Sequence, residues 1–317
     1  MFTAIFLFVF GFFLLIKSSN YLIDGSSSVA KYFTISPWVI GMVIVGIGTS
    51  VPELAIMIAS LNDGGMIGLG TVIGSNSFNI LFILGLSAMF FPLVMKRTWV
   101  HKDFFYNIFA VILTALFLFF PVLGDKEFFG LSRLEGLVLL SVFTFWIWDL
   151  ATRRRDGSGE TSDYKVFTLS ISFIMILGGL VGVFLGGKWV VDGGVEIATA
   201  LGASKALIGL TLVGIGTSIP ELTVTLAAAL RKRSSLAVGS IIGSNIFDFL
   251  GVLGFASLIK QVPFDTRFTL DLSVTLMASV LLLATMYIGR KYIMSRKQGL
   301  IFVILYLLYF VVILIRG

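Results

Sequence analysis

Two short segments of this chain set a carboxylate beside residues that break helices. Gly46, Gly48, Thr49, Ser50, Pro52 and Glu53 form one Gly-x-Gly-Thr-Ser-x-Pro-Glu run, and Gly214, Gly216, Thr217, Ser218, Pro220 and Glu221 form a second. A proline offers no amide hydrogen to the carbonyl four residues back, and glycine weakens the helix around it. Each run is therefore expected to interrupt a helix and free backbone carbonyls. Thr49 and Glu53 are spaced i, i+4 and Ser50 and Glu53 i, i+3, so hydroxyls and carboxylate share one helix face. Two further segments add Ser75 with Asn79, and Ser244 with Asp248, again four residues apart. The ligand set is oxygen only. Hard cations of the calcium type take about six to eight oxygens at roughly 2.3–2.6 Å, whereas transition metals favour nitrogen or sulfur. Sodium accepts the same neutral hydroxyl and carbonyl oxygens, so one cluster suits either ion.

A single Gly-Thr-Ser-x-Pro segment would read as a kinked packing helix, because small residues are common where membrane helices meet. Two copies, each with a glutamate inside an apolar run, argue for more. A charge at the centre of a bilayer costs at least about 2.5–3.5 kcal/mol, so two matched glutamates need a partner. Asn76 and Asn245 lie beside the ligand face and fit interhelical hydrogen bonding equally well. Asp24 and Asp192 read as helix-end or interfacial residues. The single histidine, His101, falls in a short polar connection and receives no role.

The elements that must position these residues follow from composition. Hydrophobic residues make up 57% of the 317 and charged residues 13%, and the mean hydropathy is +1.04. That much apolar surface requires lipid. Ten apolar runs long enough to span a bilayer lie at about 2–24, 36–61, 65–92, 103–123, 131–150, 166–192, 205–230, 235–259, 268–289 and 298–315. They leave no room for a soluble catalytic domain. No basic residue precedes the first run and no cleavage pattern follows it, so it is taken as a span rather than a signal peptide. Cysteine is absent, which removes disulfides and thiol chemistry.

The net charge is +6, but the basic residues are divided among the connections rather than gathered on one face, which disfavours a nucleic-acid partner. Lys31, Lys96, Arg97, Lys102, Arg153, Arg154, Arg155, Lys165, Arg231, Lys232, Arg233, Arg290, Lys291, Arg296 and Lys297 all fall on one side. By the excess of Lys and Arg in cytoplasmic connections, that side is internal and both termini are extracytoplasmic, in a multi-pass cell-membrane protein. The Arg153–Arg155 cluster reads as a topology anchor. Trp99, Trp146 and Trp148 read as interface anchors.

The chain is one unit written twice. Residues 40–54, IGMVIVGIGTSVPEL, match residues 208–222, IGLTLVGIGTSIPEL; residues 70–80, GTVIGSNSFNI, match residues 239–249, GSIIGSNIFDF. Each half holds an odd number of spans, so the second copy enters the membrane from the opposite side. The fold class expected is all-α integral membrane, ten transmembrane helices as two inverted five-helix repeats. The halves are residues 1–150 and 166–317, with a cytoplasmic connection at 151–165. Inverted repeats are typical of secondary transporters, whose site lies near the midplane where interrupted helices meet.

The paired GTSxPE and GSN-x-F-N/D segments resemble the alpha repeats of the cation/calcium antiporter superfamily, in particular its sodium/calcium exchangers of prokaryotic type. The resemblance implies a diamond of cation sites. Glu53 and Glu221 would hold calcium with Thr49 and Thr217, and sodium would occupy overlapping sites with Ser50, Ser75, Ser218 and Ser244. Asn79 and Asp248 would flank the centre. Gly46 and Gly214 stand where archaeal members carry alanine and would still offer a backbone carbonyl. It also implies that the first and sixth spans slide across the core to open each side in turn. Calcium and sodium would be transported substrates, with no organic cofactor and a single chain as the transport unit. The proton-coupled branch carries Gly-Asn-Ala and a further glutamate in these spans, and this chain does not. The rivals are a proton-coupled calcium antiporter, a channel, and an intramembrane hydrolase using both glutamates on water.

Overall fold

The structure, a computed structural model, describes residues 2–120, 122–123, 128–152, 166–202 and 214–316. Among them nine helices are long and apolar enough to cross a membrane: α1 (Phe2–Tyr32), α2 (Pro37–Ser60), α3 (Met66–Phe90), α4 (Arg97–Phe119), α5 (Arg133–Thr152), α6 (Leu169–Ala200), α8 (Ser234–Ile259), α9 (Thr266–Thr285) and α10 (Arg296–Arg316). The shorter apolar helix α7 (Ile219–Leu230) follows one turn at Gly214–Gly216. The earlier part of that expected span lies outside the described residues. So do Arg153, Arg154 and Arg155.

α1 and α6 run eight residues past the ends expected at Asp24 and Asp192. Asp-Gly reads as a stop, yet here each glycine is a packing position inside a helix. A Cβ on Gly25 would stand 2.7 Å from the Ser172 carbonyl oxygen, one on Gly193 2.7 Å from that of Ala4, and one on Gly11 2.9 Å from that of Gly186. The two helices lie backbone against backbone along their length, the close approach that small residues permit in lipid. Asp24 and Asp192 are therefore interior helical residues rather than helix ends.

The centre of the molecule is α8, whose residues Ser234–Ile246 are all buried. Gly239 packs against the Trp38 carbonyl and Gly243 against that of Met42, which draws α2 onto α8. α2 starts cleanly because Ser36 caps it, accepting a hydrogen bond from the Trp38 amide at 3.3 Å, with Pro37 in its first turn. Trp99 was expected at the interface but is buried, stacked on Trp38 at 4.6 Å. Trp146 is likewise inside, and Trp148 alone of the three is exposed.

The repeat reaches into the turns. Thr34 and Gly202 both adopt positive φ, as do Gly64 and Lys232. After α2 the Gly65 amide bonds the Ser60 carbonyl, and after α7 the Arg233 amide bonds that of Ala228, the same left-handed helix stop in each half. Two antiparallel clips, unforeseen in an all-helical reading, join the halves: β1 (Leu93–Val94) with β4 (Ile293–Met294), and β2 (Gly130–Leu131) with β3 (Val262–Pro263).

Candidate ion-binding site

Both glutamate-bearing helices break where the sequence places the break. In α2 the helical run Ile47–Thr49 ends at Ser50, whose φ and ψ are −85° and 7°, and helix resumes with Pro52 in its first turn. In the second repeat Gly214–Gly216 ends before Ser218, at −94° and 5°, and Pro220 opens α7. Glu53 and Glu221 thus occupy the first turn of a restarted half-helix, where free amides and the helix dipole favour negative charge. The Thr49 hydroxyl folds back onto its own helix, donating to the Val45 and Gly46 carbonyls at 3.0 and 3.2 Å.

α3 and α8 carry the facing residues on widened backbone. Each holds a π-helical stretch, Phe78–Leu84 in α3 and Phe247–Val252 in α8, and α2 holds a third at Gly41–Gly46. Asn79 and Asp248 are the second residues of their stretches. Such bulges leave backbone groups out of the regular ladder and recur at functional sites.

These elements converge. Glu53 is 1% exposed, Glu221 3% and Asp248 0%, and each of the three interacts electrostatically with the other two. The Thr217 side chain faces Glu53 and Thr49 faces Glu221, so each carboxylate meets the other repeat's threonine. Thr217 Oγ1 and Glu53 Oε2 are both buried without a hydrogen-bond partner among the described residues. Ser50 and Ser244 share a hydrogen bond of 2.6 Å across the repeats. Ser75 is buried and bonds the Val72 carbonyl at 3.2 Å. Ser218 is buried. Gly46 lies against α8, where a Cβ would meet the Ser240 carbonyl oxygen at 2.6 Å and the Ser244 amide at 2.8 Å.

The two asparagines that the sequence left between two readings belong to this cluster. The Asn76 amide donates to Asp248 Oδ2 at 2.9 Å and to the Val72 carbonyl at 2.7 Å, and that of Asn79 donates to Asn245 Oδ1 at 3.1 Å. The repeat relates Asn76 to Asn245 and Asn79 to Asp248, so the two cross-repeat bonds are mates. The signal was present in the doubled GSN motif.

Several buried oxygens in this cluster have no hydrogen-bond partner among the described residues: Glu53 Oε2, both Glu221 carboxylate oxygens, Asp248 Oδ1, Thr217 Oγ1, Ser218 Oγ, and Oδ1 of Asn76 and Asn79. Buried acceptors without donors are costly unless a cation completes them. Among the described residues no three His, Cys, Asp or Glu side chains are close enough to hold an ion by themselves. The donor set is therefore carboxylates diluted by hydroxyl and amide oxygens, which suits hard, weakly held cations rather than a resident transition metal.

The chain matches known proteins over almost its whole length. It is 36% identical over 307 residues to an uncharacterized membrane protein of Methanocaldococcus jannaschii, covering 95% of each. It is 28% identical to the sodium/calcium exchanger MaX1 of Methanosarcina acetivorans, covering 95% of this chain and 96% of that one. Solved structures of the sodium-calcium exchanger NCX_Mj superpose with a TM-score of 0.83 at 32% identity, covering 97% of both chains. The sodium/calcium exchanger protein family matches residues 3–149 and 171–315, both repeats and the site between them, and the chain belongs to that family.

Proposed function

We propose that this protein is a secondary antiporter that exchanges sodium for calcium across the cell membrane at the oxygen cluster between α2, α3, α7 and α8. The observation that carries the reading is the set of buried, donorless oxygens contributed by both repeats around Glu53 and Glu221. Glu53 and Glu221, with Thr49 and Thr217, hold calcium. Ser50, Ser75, Ser218 and Ser244 hold sodium in overlapping positions, with Gly46 and Gly214 offering carbonyls and Asn79 and Asp248 flanking the centre. The two ions compete for the same carboxylates, so binding of one requires release of the other. An empty site with unneutralised carboxylates is costly to carry across the membrane interior, which suppresses uncoupled return and makes exchange obligatory. The ions are substrates, and no organic cofactor is required. The face bearing Lys96, Arg97, Lys102 and the 231–233 turn is cytoplasmic on the distribution of basic residues, which leaves both termini outside.

The test is calcium uptake into sodium-loaded proteoliposomes. Uptake is expected to need an outward sodium gradient and to vanish in Glu53→Gln and in Glu221→Gln. Uptake in wild type that follows an imposed pH gradient and ignores sodium would overturn the sodium assignment in favour of proton coupling.

A further inference from the structure

The repeat supplies a comparison for contacts between described residues, and the ionic cluster on α1 fails that comparison. On α1, Asp24 accepts hydrogen bonds from Arg231 Nη1 at 2.8 Å and from Arg233 Nη2 at 3.1 Å. Arg233 is 8% exposed, and its Nη1 also donates to the Ser27 hydroxyl at 2.7 Å and to the Ile23 carbonyl at 3.1 Å. One guanidinium thus grips three successive contact points of α1 from the turn between α7 and α8. That turn is rigid, because Lys232 takes the left-handed conformation and the Lys232 and Arg233 amides bond back to Ala229 and Ala228 at 2.9 Å.

The mirrored carboxylate is Asp192 on α6, and the mirrored turn is Asn62-Asp63-Gly64-Gly65. It has the same backbone stop at Gly64, φ 86°, but no basic side chain. Asp192 pairs with Lys188 in its own helix at 3.4 Å, with both side chains more than half exposed. A clamp therefore ties the α1/α6 pair to the ligand-bearing core at one face of the molecule, and the repeat-related turn at the other face has no basic residue to form its counterpart.

We infer that the Asp24–Arg231–Arg233 clamp is a one-sided latch that holds the protein closed on the face of the 231–233 turn. The inference rests on the antiport reading above, together with the movement of α1 and α6 across the core that the family resemblance implies. A shift of α1 along its axis by one residue, about 1.5 Å, breaks bonds of 2.8–3.1 Å. Arg233 is held back by its backbone, because the Lys232 and Arg233 amides fix its turn to α7, so its bonds to Ile23, Asp24 and Ser27 of α1 are strained together. Opening on that face requires the clamp to part, and opening on the other does not. The latch biases the resting molecule toward the state accessible from the opposite side.

The absence of cysteine makes the test direct, since an introduced thiol is the only one in the chain. Ser26 lies on the clamped turn of α1 and is fully buried, and Ser26→Cys is nearly isosteric. Its labelling by a membrane-impermeant maleimide, supplied to each face of sealed vesicles in turn, reads the opening. Asp24→Asn is expected to raise the labelling rate from the clamp face about fivefold or more, within the range of ordinary conformational couplings, while Asp192→Asn leaves it unchanged. Arg231→Gln, at a side chain 36% exposed with one bond to Asp24, is expected to act in the same direction more weakly, and it carries the test if Asp24→Asn does not fold. Unchanged labelling in the folded variant, or an equal rise with Asp192→Asn, overturns the latch. No sodium or calcium flux enters this readout, so a failure of the transport reading would show separately in the proteoliposome assay.

Discussion

Gly46→Ala is the sharpest test of the site geometry, because it places a methyl where this structure has no room for one. The added methyl would sit 2.6 Å from the Ser240 carbonyl oxygen and 2.8 Å from the Ser244 amide, against an ordinary contact distance of at least 3.4 Å. Both obstacles are backbone of the most buried helix, so relief requires α2 and α8 to part by roughly 0.6–0.8 Å, since close-packed interiors transmit such strain rather than absorb it. Ser50 sits on one side of that seam and Ser244 on the other, joined by a 2.6 Å hydrogen bond. Separation by that amount stretches the bond past about 3.0 Å, the upper end for hydroxyl pairs. Overpacking of this kind costs about 1–3 kcal/mol, and each 1.4 kcal/mol is tenfold in binding. The expected outcome is an apparent sodium affinity lower by about tenfold, read from the sodium dependence of calcium uptake in proteoliposomes. Thermal denaturation in detergent should show a matching loss of stability. A Gly46→Ala protein with wild-type melting temperature and wild-type sodium dependence would refute the close seam between α2 and α8.

Two other predictions address the carboxylates. Asp248→Asn gives the second repeat the side chain the first has at Asn79, so folding should survive, with Asn76 pairing to an amide as Asn245 does to Asn79; calcium affinity, measured by isothermal titration, should fall about tenfold for loss of one charge-assisted contact. Tyr309→Phe removes a buried 2.6 Å hydrogen bond to the Asp271 carboxylate, which also holds Arg316 at 2.7 Å; detergent-solubilised protein should lose about 1.5–3 kcal/mol in stability with transport coupling intact.

The motif residues were legible because their chemistry conflicts with their surroundings. Glycine, proline and glutamate inside apolar runs need a reason, and doubling the pattern excludes accident. The helical breaks at Ser50 and Ser218 follow directly from Pro52 and Pro220. What misled was local propensity. The first and sixth spans read as ending at Asp24 and Asp192, but Gly25 and Gly193, each pressed against another backbone carbonyl, stabilise continuous helices through packing, which outweighs their low propensity. Trp99 and Trp146 looked like interface anchors because they lie near span ends, and only the helix-helix geometry reveals that their faces turn inward. The roles of Asn76 and Asn245 depended on which residue stood across the repeat boundary, a pairing no single-chain spacing contains. The two-residue clips β1–β4 and β2–β3 are too short to leave a pattern of alternation.

The duplication explains why the machine has two ends, and its imperfections explain why the ends differ. A perfect inverted repeat would make the inward-open and outward-open states equal in energy, with ligands and closures exchanged by symmetry. Among this chain's departures from symmetry, two differ in kind. At the centre, Asn79 and Asp248 place a carboxylate in one half and a carboxamide in the other, and the hydrogen bonds follow: a carboxylate only accepts, so Asn76 donates to Asp248, whereas Asn79 donates to Asn245. At the edge, the 231–233 turn is basic where its mate is Asn62-Asp63-Gly64-Gly65. The central difference acts on the ions, because it changes the charge they meet without moving the helices. The edge difference acts on the helices, because it changes what holds α1 without touching an ion ligand. Separating the two lets ion selectivity and the resting orientation vary independently in a duplicated fold.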